Sequence, residues 1–193
     1  ANPMRSLIKY HMITDEYKRE LARFHATNAF GYNFTVPQAV HDLVQKHRPK
    51  TVLDYGCATG PMVKTMRETY PDIETMGYDP AVPEFQHLPD HADLTYCLDC
   101  LEHIEPLHLD SVLDSLFRVT GDVLYLEICC TPAKKILSDG RNAHLIQEQP
   151  DWWRSKLSRT GWTLISDDTV ERDPIRPGLW PSKHYHALLH KIS

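Results

Sequence analysis

The chain of 193 residues has no basic block: 21 Lys and Arg stand against 26 Asp and Glu, a formal charge of −5. That balance argues against tight, sequence-independent nucleic-acid binding, which works by neutralising many phosphates. It leaves room for a short RNA end or a nucleotide. No apolar run approaches the roughly 18 residues that a membrane span needs, so no membrane partner is expected. No positively charged, apolar leader stands at the start of the sequence. The five cysteines are odd in number and fall mostly within apolar, strand-like runs. They read as reduced core thiols of a cytoplasmic protein rather than as a disulfide framework. Cys97 and Cys100 form a C-x-x-C, but two well-spaced ligand pairs on turns are lacking, which disfavours a zinc site. The length suits one domain with a sizeable core, and no feature specifies an oligomeric state.

What is present begins at 51–60, TVLDYGCATG. An apolar run ends in an acid, drops into a small-residue turn and leads into a helix, with Pro61 placed where a missing N–H costs nothing. Gly56 and Gly60 let the backbone come close to a ligand. A dinucleotide site needs a third glycine, yet Met62, Val63 and Lys64 follow Gly60. A phosphate loop needs G-K-[ST], yet Gly60 is followed by Pro61. A second apolar run, Ile73 to Tyr78, ends at Asp79, about 20 residues beyond the turn, where such folds place a carboxylate on ribose hydroxyls. A third, ADLTYCLDCLEHI at 92–104, ends in Asp99-x-x-Glu102-His103.

Helical and strand patterns alternate along the chain. Helices are expected at 14–27, with Tyr17, Leu21 and Phe24 on one stripe, and at 37–47, 59–70, 107–118 and 150–159. Strands are expected at 51–55, 73–78, 93–98, 122–129, 162–167 and 184–191. This order predicts an α/β fold, a doubly wound and mostly parallel sheet with helices on both faces. The last two strands lack an intervening helix, so the final one is expected to run antiparallel. Little room for a third strand remains between Asp79 and Ala92; Phe85 to Leu88 is the place for a remnant edge strand. Residues 172–181 form a proline-rich loop, and Phe30 to Phe34 an aromatic turn.

VLDYGCATG resembles the first motif of the class I (Rossmann-like) S-adenosylmethionine-dependent methyltransferases, with Ala58 at their usual middle glycine. ADLTYCLDCLEHI resembles their fourth strand and following turn. The resemblance covers about 36–191 and implies a seven-stranded type of sheet, its third strand short or absent. It implies S-adenosyl-L-methionine as cofactor, with Asp54, Gly56, Cys57, Ala58 and Gly60 around its methionine part. It places Asp79 on the ribose, and Pro80, Leu98 and Asp99 nearby. Asp90 and Cys97 are weaker adenine neighbours. Residues 1–35 would form a helical cap or lid, with Tyr17 and Tyr32 as cofactor contacts, on the binding domain at 36–193.

Amine methylation of DNA bases would show an (N/D)PP(Y/F) after the fourth strand, and cytosine-C5 methylation a Pro-Cys pair; both are missing. Methyl transfer from a sulfonium needs mainly alignment, plus removal of a proton when oxygen is the nucleophile. Asp99, His103 and the later His144 are the expected catalytic residues. Asp99, Glu102, His103 and His144 also resemble the E-x-x-E-H plus later histidine with which small-RNA 3′-terminal 2′-O-methyltransferases bind a divalent ion, Mg or Mn. Lys134, Lys135 and Arg141 follow a strand end, where acceptor loops lie, and are placed to grip an anionic small molecule. The expected activity is O-methylation of such an acceptor. The alternatives are metal-assisted methylation of a ribose 2′-hydroxyl on an RNA end or nucleotide, and a silent cofactor-binding module. His184, His186 and His190 alternate on one strand face, expected to be half exposed. Trp152 and Trp153 divide between the core and the substrate or loop.

Overall fold

The computed structural model describes residues 12–27, 35–174 and 180–192. The aromatic turn at 30–34, with Tyr32, and the middle of the proline-rich loop lie outside them. Helix α1 (Asp15–Ala26) starts where Thr14 caps it, the side-chain oxygen accepting from the Tyr17 N–H at 3.2 Å. It is followed by α2 (Gln38–His47), β1 (Thr51–Tyr55), α3 (Pro61–Thr69), β2 (Glu74–Tyr78) and β3 (Ala92–Leu98). Then come α4 (Leu109–Val119), β4 (Thr120–Cys129), α5 (Pro150–Lys156), β5 (Trp162–Arg172) and β6 (Ser182–Lys191). The six strands form one sheet in the order β2-β1-β3-β4-β6-β5. The pairings among β1 to β4 are parallel, and β6 runs antiparallel to both of its neighbours.

Period-two alternation sends side chains to two cores. Val52, Leu94, Tyr96, Val123 and Tyr125 pack with Val40, Leu43 and Val44 of α2 and Met66 of α3. Leu53, Cys97, Leu124, Leu126 and Ile128 pack on the other face with Val112, Leu113 and Leu116 of α4 and Trp153 of α5. The parallel register brings the carboxyl ends of β1 to β4 to one edge, with Tyr55 beside Tyr78 and Leu98 beside Glu127. Among the described residues no helix is long and apolar enough to cross a membrane.

Three expectations need correction. Pro83–Phe85 is a single 3-10 turn, with no remnant strand at 85–88, because Phe85 turns inward against Cys57 and Val63. Helix α5 stops at Lys156, short of 159. Strand β5 runs on to Arg172, five residues past its expected end, since its pairing with β6 continues to Arg172 opposite Ser182. Arg172 therefore sits on a strand, not in the loop.

Candidate active site

A cavity of about 450 Å³ opens at the carboxyl edge of the sheet, where parallel α/β sheets place ligands. Its floor is the β1–α3 turn: Gly56, Cys57 and Ala58 line it. Gly56 has φ +87, and a Cβ there would lie 2.5 Å from Cys100 Sγ. Gly60 has φ +79 and is roofed by the Phe85 ring, 2.5 Å from where its Cβ would be. Ala58, in the place of a glycine, also holds a left-handed φ of +50, which costs an L-residue about 1 kcal/mol. Asp54, in β1, and Gly60, at the start of α3, flank the turn and do not line the cavity. Burial pushes the Asp54 carboxyl up to about 8, the nearby Asp79 adding to the rise.

Asp79, at the end of β2, does line the cavity. Its Oδ2 accepts from the Ala58 N–H at 3.1 Å and its Oδ1 from the Ala81 N–H at 2.9 Å. A carboxylate fixed by two backbone donors is pre-aimed for further hydroxyl donors. Pro80 and Leu98 stand in the same wall, whereas Asp90 and Cys97 are outside it. Helix α1 closes the cavity from the opposite side with Tyr17, Leu21 and His25, and Ile13 just before it adds to that wall.

The far end is built by the turn after β3 and the loop after β4. Asn142 organises that loop: its Oδ1 accepts from the Ala133 and His144 N–H groups at 2.9 Å each, and its Nδ2 donates to the Ala133 carbonyl at 2.7 Å. The loop so held lays the Ala143 carbonyl 2.8 Å from Nδ1 of His103, a cavity residue. A carbonyl only accepts, so Nδ1 carries the proton. Burial, helped by the neighbouring His144, lowers His103 to about 4. The ring is therefore neutral at physiological pH, with Nε2 as its basic nitrogen. The rings of His103 and His144 meet edge to face, 4.7 Å between centroids. His144 bonds the Thr131 carbonyl through Nδ1 and stands behind His103, outside the cavity wall.

The expected metal quartet does not converge. Among the described residues, ligand atoms gather within 4.8 Å in two other groups, Glu102–Cys129–His144 and Asp99–Glu127–His184. Glu102 is fully buried, its Oε1 accepting from the Cys129 N–H at 3.0 Å while Oε2 lacks a hydrogen-bond partner. Burial, then the nearby Asp99, pushes its pKa well up. Asp99, at φ +46 and half exposed, faces the cavity and the second group instead.

Glu127 of that second group and Arg172 beside it are cavity residues that the sequence hid. Burial alone would raise Glu127, but His184 and Arg172 overcome it and hold the carboxyl at about 2. Arg172 meets Glu127 Oε1 at 2.6 Å, and His184 Nδ1 lies 3.3 Å from the same oxygen and 3.5 Å from Asp99. Those carboxylates raise His184 to about 9 against the opposing effect of burial. Glu127 and Arg172 both line the cavity. The one signal for Glu127 was an acid inside the apolar run VLYLEICC. His184 is buried rather than half exposed, while His186 bonds the Tyr125 hydroxyl at 2.9 Å and His190 packs on His47.

Lys134, Lys135 and Arg141 stay outside the cavity wall. Lys135 sits over the Phe24 ring at 4.1 Å, Lys134 over Trp180 at 5.4 Å, and Arg141 pairs with Asp139 at 2.6 Å. Trp153 is buried in the core and Trp152 stacks edge to face on it, away from the cavity. All five cysteines are free thiols.

The family described as "Methyltransferase domain" matches residues 21–173. Among curated proteins none matches the sequence. Solved structures share the fold at low identity. Coclaurine N-methyltransferase, solved with N-methylheliamine and S-adenosylhomocysteine, is 11% identical with a TM-score of 0.57, over 80% of this chain and 70% of that one. An S-adenosylmethionine-dependent methyltransferase of Clostridium acetobutylicum is 10% identical with a TM-score of 0.57, over 81% and 90%. The methyltransferase domain of bacterial CtHen1 is 15% identical with a TM-score of 0.53, over 80% and 96%. The glycine turn, the fixed Asp79 carboxylate and a cavity of ligand size suit S-adenosylmethionine. The chain belongs to the methyltransferase-domain family and is a class I S-adenosylmethionine-dependent methyltransferase.

Proposed function

We propose that the enzyme O-methylates a small anionic acceptor, with His103 as the base that takes the hydroxyl proton. The observation that supports this most is His103 itself, a neutral imidazole with Nδ1 tied to Ala143, in the wall of the cavity that also holds Asp79. Residues 12–27 act as the cap over a cofactor domain at 36–193. Gly56, Cys57 and Ala58 lie against the methionine part, Asp79 against the ribose, and Pro80 and Leu98 beside the adenosine. S-adenosylmethionine supplies an electrophilic methyl on a good leaving group, so most of the protein's work is alignment. The acceptor lies between His103 and the Asp99–Glu127–Arg172–His184 group. Arg172 and His184 offset the acids there; Lys134, Lys135 and Arg141 would meet its outer, anionic part. As the oxygen attacks, its proton passes to Nε2 of His103. A base with so low a pKa favours an acidic hydroxyl, phenolic or enolic, over an alkyl alcohol. Buried free thiols suit a reducing, cytoplasmic setting.

A second reading is favoured by the unpartnered Glu102 Oε2 beside His144. There Glu102 and His144, with His103 adjacent and Asp99 swung in, would hold Mg or Mn. The ion would lower the pKa of a ribose 2′-hydroxyl on an RNA end or nucleotide.

Calorimetric titration of S-adenosylmethionine and S-adenosylhomocysteine, with and without Mg or Mn, separates the two. Binding indifferent to metal, followed by His103-dependent methylation of phenolic acids, supports the first. Metal uptake lost in Glu102→Gln and His144→Ala supports the second. No cofactor binding would sink both.

A further inference from the structure

The cap helix carries an imidazole into the ribose end of the cavity. His25, on the last turn of α1, places Nε2 3.5 Å from Asp79 Oδ2, and both side chains are nine-tenths buried. Each Asp79 oxygen already accepts one backbone N–H, from Ala58 or Ala81. Each retains one lone pair for a ligand hydroxyl. A ribose has two vicinal hydroxyls, and the imidazole stands where the one nearer Oδ2 must come. We infer that His25 is a cofactor-specificity residue that, together with Asp79, reads the ribose diol of S-adenosylmethionine.

Imidazole can donate to or accept from a hydroxyl, so it complements a carboxylate that only accepts. The pair therefore recognises a cis-diol from two elements, β2 below and α1 above. A diol bridging them stitches α1 onto the domain, and α1 in turn touches the catalytic turn through Tyr17 and His103. Ribose recognition and closure over the acceptor become one event. The inference rests on the S-adenosylmethionine assignment and adds a residue to it.

The test measures calorimetric affinities for S-adenosylhomocysteine and for its 2′,3′-dideoxy analogue. The wild type is compared with His25→Phe, which keeps ring volume, and His25→Gln, which keeps a donor and an acceptor. His25→Phe is expected to weaken S-adenosylhomocysteine about tenfold, the scale of one buried hydrogen bond, and the dideoxy analogue by less than twofold. His25→Gln should recover part of the loss. Hydrogen exchange of the amides at 15–26 should slow on S-adenosylhomocysteine binding in the wild type and not in His25→Phe. Equal losses for both ligands, or none for either, overturn the role of His25 while leaving the methyltransferase assignment standing. A wild type that binds neither ligand overturns the assignment and this inference together.

Discussion

Tyr17 donates its phenolic hydrogen to the backbone carbonyl of His103 at 2.8 Å, spanning 86 positions of sequence. Burial, then the neighbouring Cys100 and Glu105, raises the phenol pKa, so the hydroxyl remains a donor across the working range. The first turn of α1 is tied to the same region, the Thr14 N–H and hydroxyl reaching Glu105 at 2.7 and 3.0 Å. Tyr17→Phe removes only the donor and orphans a carbonyl. It should cost about 1 kcal/mol of stability, read from a denaturant midpoint. It should also lower kcat more than it weakens S-adenosylhomocysteine binding, because the group displaced is the His103 turn.

His103→Ala should lower kcat by about 10²- to 10⁴-fold, the usual contribution of a positioned base, with the S-adenosylhomocysteine Kd within twofold of wild type. The pH profile gives a sharper check. The proposed base is a neutral imidazole whose pKa is lowered to about 4, so kcat/KM should hold as pH falls through 6.5 and drop only near 4. An acid limb at 6.5 would mean that another group supplies the base.

Asp54 sets a stability dependence of the opposite sense to most carboxylates. Its folded pKa is raised from 3.8 to about 8, so the folded state holds the proton more tightly than the unfolded one. Stability from this residue is full below pH 3.8, erodes as pH rises and is lost above 8. Asp54→Asn cannot ionise. Its Tm relative to wild type should therefore increase steadily between pH 5 and pH 9; a constant difference would contradict a protonated Asp54.

Gly60→Ala puts a Cβ 2.5 Å from the Phe85 ring at φ +79. The left-handed backbone costs about 1 kcal/mol, and displacing Phe85 adds to it, since that ring packs on Cys57 and Val63. The variant should lose Tm and S-adenosylhomocysteine affinity together. Adding Phe85→Leu should restore the part due to the ring and leave the backbone part.

The sheet was legible because its strands are short apolar runs with period-two faces, and the glycine turn because only small residues permit its φ values. Asp79 and His103 were legible for a related reason: Asp79 directly follows such a run and His103 lies in the turn after another, where the chain leaves the sheet edge. The extension of β5 to Arg172 was hidden, since TVER carries little apolar pattern and is held by pairing with β6. His25 was hidden too, one polar residue among several on α1, distinguished only by what lies opposite.

Local chemistry in the sequence by itself determined the alternation of strands and helices, the left-handed turn at 56–60 and the acids that end β2 and follow β3. These follow from backbone sterics and from burial periodicity, which act over a few residues. Tertiary structure alone decided how the polar residues divide. It sent Glu102 and His144 behind the wall with Cys129, and set Asp99 among Glu127, His184 and Arg172. It also brought α1 over Asp79. The partner that determines a buried charge's ionisation comes from a distant strand or loop, and the distance between them exists only once the sheet has formed.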